Sequence, residues 1–292
     1  MNKWVNSRMQ VVKQIEELRQ VIGGVKREGR VVGLVPTMGA LHDGHMALVN
    51  SSRENGDFTV VSIFVNPTQF GPSEDFERYP RQLEADLEKC RAAGVELVFA
   101  PDVSEMYPEG FGTYVDVQGI TEILEGASRP GHFRGVATIV IKLFAAVEPR
   151  RAYFGMKDYQ QLKVIEKMVR DLNVRVDIIP VPIVREPDGL AMSSRNVYLS
   201  KDERRAAASL YKALMAARNA AGDGVTDAES IRQIVESILL AEPLVQIDYV
   251  AVVDKETLLP IDSISKGAVV LLAVRIGSTR LIDNMLIGVS DK

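Results

Sequence analysis

The chain has 292 residues, 46% of them hydrophobic and 25% charged, with a formal net charge of −4 at pH 7. That balance supplies a full globular core, argues against long disordered stretches, and gives no global pull toward nucleic acid or an anionic membrane. The single cysteine, Cys90, excludes an intramolecular disulfide framework and a cysteine-built zinc site; its amphipathic surroundings make it a packed thiol.

Residues 1–8 carry no apolar core of signal-peptide length. No apolar run reaches the ~18 residues that a bilayer crossing needs, so a cytoplasmic protein without membrane partners is expected. Val12, Ile15, Leu18 and Ile22 recur at helical spacing and predict a helix over 9–28. The apolar run 31–35 predicts a buried strand, and a helix then runs from Gly44 to a stop at Asn55-Gly56. Residues 58–65 form a second strand, broken by Asn66-Pro67. A helix over 81–93 closes at Gly94, and 95–100 is a third strand. Residues 136–147 are apolar nearly all round and predict a buried helix. A short strand at 151–154, an amphipathic helix over 158–172 with Asp158 as its N-cap, and a strand at 174–179 follow.

Buried strands separated by helices at this spacing define an α/β fold: a Rossmann-like parallel sheet with helices on both faces. Beyond the turn at Arg185-Glu186-Pro187-Asp188-Gly189 the texture changes. Two helical patterns, 202–221 and 226–241, precede alternating runs at 247–253, 268–276 and 280–287. We therefore expect two domains, a Rossmann-like domain over 1–184 and a smaller C-terminal α+β domain over 185–292.

In parallel α/β sheets, ligands sit off the carboxyl ends of the strands. The loop after the first strand reads Met38-Gly39-Ala40-Leu41-His42-Asp43-Gly44-His45 and opens a helix. A strand, a turn and a helix N-terminus in that order suit phosphate, and two imidazoles there can donate to the charge that develops when a phosphoanhydride is attacked. A helix-capping role for either histidine is the plainer alternative.

The second loop carries Asn66 and Gln69, whose amides can bind hydroxyl or carboxylate groups, although Asn-Pro is also an ordinary turn starter. Gly155, Met156, Lys157 and Asp158 form a third loop, in which Lys157 is either a phosphate-binding charge or a solvated surface residue. Met192-Ser193-Ser194-Arg195 forms a fourth, as a donor-rich loop or a capped linker. Arg129, His132 and Arg134 occupy a Gly/Pro-rich segment that suits an anionic substrate and equally suits ordinary loop chemistry. Glu84 and Asp86 can meet a Mg²⁺ held mainly by ATP phosphates, or form a solvated acidic helix face.

Pro-Thr-Met-Gly-Ala-Leu-His-Asp-Gly-His, Phe-Val-Asn-Pro-Thr-Gln-Phe, Arg-Pro-Gly-His-Phe-Arg-Gly-Val, Phe-Gly-Met-Lys-Asp-Tyr-Gln-Gln and Met-Ser-Ser-Arg-Asn occur here in that order. Together they closely resemble the pantothenate synthetase (pantoate–β-alanine ligase) family over about residues 9–287. The histidine motif alone resembles the wider nucleotidyltransferase superfamily. The resemblance implies a two-step reaction in which pantoate and ATP give pantoyl adenylate, and β-alanine then gives pantothenate and AMP. By motif it implies an ATP site at Met38 to His45, Gly155 to Asp158, Val184 and Met192 to Arg195. It also implies pantoate contacts at Gln69 and Gln161, with Gln69 near β-alanine as well. Within that reading His45, His42, Lys157 and Arg195 are the catalytic set, with Mg²⁺ accompanying ATP. Some members carry adjacent acidic residues where this chain has Ala85-Asp86, which leaves protein ligands to the metal unassigned. The resemblance further implies a homodimer. A nucleotidyltransferase that keeps the nucleotide on its product would share the histidine turn, and a non-catalytic nucleotide-binding regulator would be expected to lack the histidines or Lys157.

Overall fold

The structure of the protein is a computed structural model that describes residues 9–72 and 74–288. The opening stretch 1–8, read above for a signal-type core, lies outside the described residues. Two compact units divide the chain. Among the described residues the first runs to Met156 and resumes over Gln161–Pro182, while the second holds Lys157–Gln160 and continues from Ile183.

The first unit begins with β1 (Gln10–Val12), α1 (Ile15–Arg27), β2 (Val32–Thr37), α2 (Asp43–Glu54) and β3 (Phe58–Ile63). After a 3-10 turn at Pro67–Gln69 come α3 (Leu83–Ala92), β4 (Leu97–Phe99), α4 (Val103–Met106) and α5 (Glu125–Ser128). They lead to α6 (His132–Val147), β5 (Arg151–Gly155), α7 (Tyr159–Asp171) and β6 (Asp177–Val181). The six strands form one parallel sheet in the order β1-β4-β3-β2-β5-β6.

Strand periodicity explains the two-sided core. Val32, Leu34, Val60, Leu97, Phe99 and Phe154 point to one face, where they pack with Leu18 and Ile22 of α1, Val140 and Phe144 of α6, and Ile165 and Met168 of α7. The alternate positions Val35, Val61, Val98 and Tyr153 meet Leu48 and Val49 of α2 and Leu87 and Cys90 of α3 on the other face. A layer of helices on each face is what near-continuous apolar strands require.

The first element differs from the sequence expectation, and the short helices α4 and α5 lie where no element was expected. Residues 10–12 are a strand, not the start of the first helix: their backbone pairs in parallel with Leu97, Val98 and Phe99 at the sheet edge. Pairing with a distant strand overrides a helical spacing to which this stretch contributed only Val12.

The chain moves outward from β2 through β3 to β4, then returns to build β5 and β6 on the opposite side of β2. The carboxyl ends of β2 and β5 thus flank the point where strand order reverses. This is the crevice in which open α/β sheets hold their ligands.

The second unit contains α8 (Lys201–Gly222), α9 (Ala228–Leu240), β7 (Val245–Val253), β8 (Ala268–Ile276) and β9 (Thr279–Ile287). Its strands form an antiparallel sheet in the order β7-β8-β9. Ser200 and Glu203 form the capping box that starts α8, and Asp227 caps α9. Ala207, Leu210 and Leu214 of α8 and Ile231 and Val235 of α9 pack with Val270, Leu272 and Val274 of the central strand. No helix among the described residues is long and apolar enough to cross a membrane.

Candidate active site

Beyond β2 the chain turns through Gly39 (φ 81°) and Ala40 (φ 50°), two successive residues in the left-handed region. For Ala40 that conformation costs about 1–2 kcal/mol, so something must hold it. Asp86 of α3 does. Its Oδ2 accepts the Ala40 N–H at 2.9 Å and its Oδ1 the Leu41 N–H at 2.8 Å. Lys89, one turn further along α3, donates to the Leu41 carbonyl, and Thr37 Oγ1 accepts the Gly39 N–H at 3.2 Å while donating to the Ser62 carbonyl at 2.7 Å.

Asp86 is 1% exposed, with both oxygens committed to the backbone, and Glu84 is exposed. The acidic pair is therefore neither a metal site nor a solvated face in the case of Asp86. The sequence held a signal for this: Asp86 shares a helical face with Leu83 and Cys90, and a carboxylate on a core stripe needs a buried donor. Burial and the Asp86 charge push the adjacent Cys90 thiol up to about 12, so it is an inert packed group.

The held turn delivers His42 to the N-cap of α2. His42 Nδ1 accepts the Gly44 N–H at 3.1 Å, and His45 Nδ1 accepts the His42 N–H at 3.3 Å. This is a capping box in which imidazoles take the places usually held by Ser and Glu. The capping and chemical readings of these histidines are thus compatible. With Nδ1 accepting, each neutral ring carries its proton on Nε2, as a donor. The ring centroids lie 4.1 Å apart at the positive end of the α2 dipole.

Gln69 ends the 3-10 turn after β3 and is 8% exposed. Its Nε2 points at Met38 Sδ, 3.0 Å away, so the second loop and the histidine loop meet. Its Oε1 accepts from Asn66 Nδ2 at 3.0 Å. Asn66 itself does not fit the substrate-binding role considered for it. It is 1% exposed, its Nδ2 also donates to the Gly135 carbonyl, and its Oδ1 accepts from Thr68 and from the Tyr107 hydroxyl. The 129–132 segment is not a substrate-facing anion site either. Arg129 is paired bidentately with Glu74 at 2.6 and 2.7 Å, and buried His132 engages both ring nitrogens within the protein. Gln161, Gly155 and Met156 also belong to the first unit, all half-buried, with Gly155 closing β5.

The remaining sequence-identified residues lie in the second unit. Lys157 and Asp158 follow β5 in a 3-10 turn. The Lys157 carbonyl accepts from Asn284 Nδ2 at 2.8 Å. Val184 and Met192 face each other across a turn, with the Met192 N–H donating to the Val184 carbonyl at 3.0 Å beside the isolated Arg185–Ala191 bridge. Ser193 Oγ caps the short helix Ser194–Tyr198 by accepting the Arg195 N–H at 3.3 Å. An ion pair between a half-buried arginine and a buried aspartate supports this loop. Arg185 reaches Asp283 at 2.6 and 3.0 Å, donates to the Gly189 carbonyl at 2.9 Å, and stacks its guanidinium on Tyr211. Arg185, Asp283 and Asn284 carry no motif of their own, and the sequence alone did not single them out.

A parallel six-stranded sheet whose reversal point carries a helix N-terminus capped by two imidazoles defines a nucleotide-binding α/β enzyme. A family model described as pantoate-beta-alanine ligase matches residues 10–286. The pantothenate synthetase of Acetivibrio thermocellus is 60% identical over 281 residues, covering 96% of this chain and all of the relative. The crystal structure of pantothenate synthetase from Thermus thermophilus superposes with a TM-score of 0.91 at 52% identity, covering 95% of this chain and 99% of that one. The pantoate-beta-alanine ligase of Francisella tularensis, solved with β,γ-ATP and β-alanine, gives 0.79 at 33% identity, covering 96% and 98%. The chain belongs to the pantoate-beta-alanine ligase family and is an enzyme.

Proposed function

We propose that this enzyme condenses pantoate with β-alanine to pantothenate through a pantoyl adenylate, releasing pyrophosphate and AMP. The observation that carries the reading is the imidazole capping box at the reversal point of the sheet, joined to Gln69 through Met38.

In the first step a pantoate carboxylate oxygen bonds to the α-phosphorus of ATP, and the bond to the bridging oxygen of the β-phosphate breaks. The nucleophile is already ionised at neutral pH, so the barrier is mainly one of charge: an anion approaches an anion. His45, through Nε2–H, is a donor to the transition-state phosphate oxygens and neither a nucleophile nor a base. His42 donates beside it, Lys157 and Arg195 add positive charge, and the backbone of Met38 to Gly44 contacts the nucleotide. Gly155, Met156, Asp158, Val184, Met192, Ser193 and Ser194 complete the ATP contacts. Gln69 and Gln161 hold pantoate's hydroxyl and carboxylate oxygens without adding charge.

In the second step the β-alanine nitrogen bonds to the acyl carbon, the acyl–phosphate oxygen bond breaks, and AMP departs while the amine loses a proton to solvent. Magnesium enters with the nucleotide as part of the substrate. Among the described residues no group of three or more His, Cys, Asp or Glu side chains could hold it, and the Asp86 carboxylate is occupied.

The test is the product profile with ATP, pantoate and β-alanine. AMP and pantothenate should form in equal amounts, dependent on the amine. ADP, or a stable nucleotidylated product formed without amine dependence, would reject the ligase reading.

A further inference from the structure

We infer that His132 is a positioning residue for pantoate: it holds, through the Gln69 carbonyl, the turn that aims the Gln69 amide. This deepens the proposed function and rests on Gln69 being a pantoate contact.

The 3-10 turn at Pro67–Gln69 is capped locally by Asn66, whose Oδ1 accepts from Thr68, and by the Phe70 N–H on the Pro67 carbonyl, but neither bond reaches the Gln69 carbonyl. Three residues of 3-10 helix make few internal hydrogen bonds, and Pro67 has no N–H. The Gln69 end of the turn is engaged from outside by the first turn of α6. His132 Nδ1 lies 2.9 Å from the Gln69 carbonyl oxygen. A carbonyl can only accept, so the ring proton is on Nδ1 and Nε2 is the acceptor. The Arg129 guanidinium donates one of its own N–H groups to Nε2 at 3.1 Å. Arg129 is in turn fixed by its two bonds to Glu74. Glu74, Arg129 and His132 therefore form a directed chain whose last link points at the Gln69 backbone, with tautomer and ring plane both set.

One turn on, Gly135 completes the cradle. A Cβ there would come within 2.3 Å of the Thr68 carbonyl oxygen and 2.7 Å of the Gln69 nitrogen, so only glycine lets α6 lie this close to the turn. The Gly135 carbonyl accepts from Asn66 Nδ2, which also holds Gln69 Oε1. Both the backbone and the amide of Gln69 are thus aligned from α6, leaving the second amide hydrogen and remaining lone pairs for a ligand. The ring stays neutral, since burial and the Arg129 charge push His132 down to about 4. A charged imidazolium would need an acceptor at Nε2, where Arg129 offers only donors.

The experiment measures KM for each substrate and kcat in His132→Ala, His132→Asn, Gln69→Ala and the double variant His132→Ala/Gln69→Ala. Asn places its Nδ2 where the ring has Nδ1 and keeps the bond to the Gln69 carbonyl. His132→Ala should raise the KM for pantoate by about 10-fold or more, the scale of a lost buried hydrogen bond, with the KM for ATP within about 2-fold. His132→Asn should recover most of that loss, and His132→Ala should add little in the Gln69→Ala background. Should His132→Ala not fold, the paired change Glu74→Gln/Arg129→Gln removes the ion pair without stranding a charge and should give the same pantoate-selective rise. An unmoved pantoate KM, equal effects of Ala and Asn, or full additivity with Gln69→Ala would overturn the assignment. Wild-type enzyme inert toward pantoate would sink the functional reading itself, whereas an active wild type with no pantoate-selective change sinks only this role.

Discussion

The Asp86 carboxylate meets the backbone nitrogen of Ala40 at 2.9 Å, across 46 residues of sequence, and thereby fixes a non-glycine residue at φ 50°. With the bond to Leu41 it satisfies two N–H groups in a loop where no strand or helix could. Asp86→Asn keeps one acceptor but turns an NH₂ toward the second N–H. We expect a stability loss of about 2 kcal/mol and an ATP KM at least about 10-fold higher, measured by urea unfolding and by steady-state kinetics. An Asn variant with native KM for ATP would show that the loop holds its shape without the carboxylate.

His45 carries a second expectation. In the proposed mechanism it is one donor among several to the transition-state phosphate, and on that reading His45→Ala should lower the rate of adenylate formation by about 10²–10³-fold. Because the ring also accepts the His42 N–H, a modest stability loss should accompany the change. Single-turnover measurement of pyrophosphate release separates the two. His45→Gln, which keeps a donor near the same place, should be less damaging than Ala, and an unchanged single-turnover rate in His45→Ala would remove this residue from the chemistry.

What can be read from the sequence is whatever is written locally. β2 and β3 are continuous apolar runs, so they stand out as strands, and the histidine turn is a contiguous strand-turn-helix, legible as such from its own residues. β1 escapes such a reading because three edge residues are a strand only by virtue of β4, 87 residues away in register (Gln10 against Leu97). The supports of the site escape it for the same reason. Asp86, His132 and Asn284 act on partners 46, 63 and 127 residues distant, and nothing near each in sequence announces the partner. Arg129 and His132 are visible as residues but ambiguous in role, because a substrate-binding guanidinium and one held by Glu74 have the same local sequence. Only the fold, which brings Glu74 beside them, decides.

Asn284 supports Lys157 from β9 through one hydrogen bond to its carbonyl. The order of substitutions tests whether that bond matters to Lys157. Asn284→Ala removes the donor and should slow adenylate formation by about 5-fold, the worth of one such bond. Asn284→Asp sets an acceptor against the carbonyl and should be slower still, although it is the closer isostere. A rank order in which Asp matches wild type and Ala does not would assign the side chain a space-filling role instead.

His132 also predicts a pH dependence of stability whose sign follows from its burial. Burial first, and the Arg129 charge second, hold the folded pKa at about 4 against an ordinary 6.5, with the Gln69 carbonyl, Glu74 and Glu125 opposing. Between those values the unfolded chain binds a proton that the folded chain refuses, so stability rises with pH across that window. The contribution is complete above about pH 6.5 and is lost as the pH falls toward 4, with a slope of about 1.4 kcal/mol per pH unit. Glu74 adds in the same direction at lower pH. Burial raises its carboxyl, but the bonds and charge of Arg129, with smaller help from His132 and Gly71, outweigh this and leave it below its usual value. Urea unfolding at pH 7 and pH 5 should therefore cost the wild type about 2 kcal/mol more than His132→Asn, which has nothing to titrate at that position. Equal losses in the two proteins would mean that the ring protonates in place, and that the Nδ1–H bond to Gln69 does not depend on a neutral imidazole.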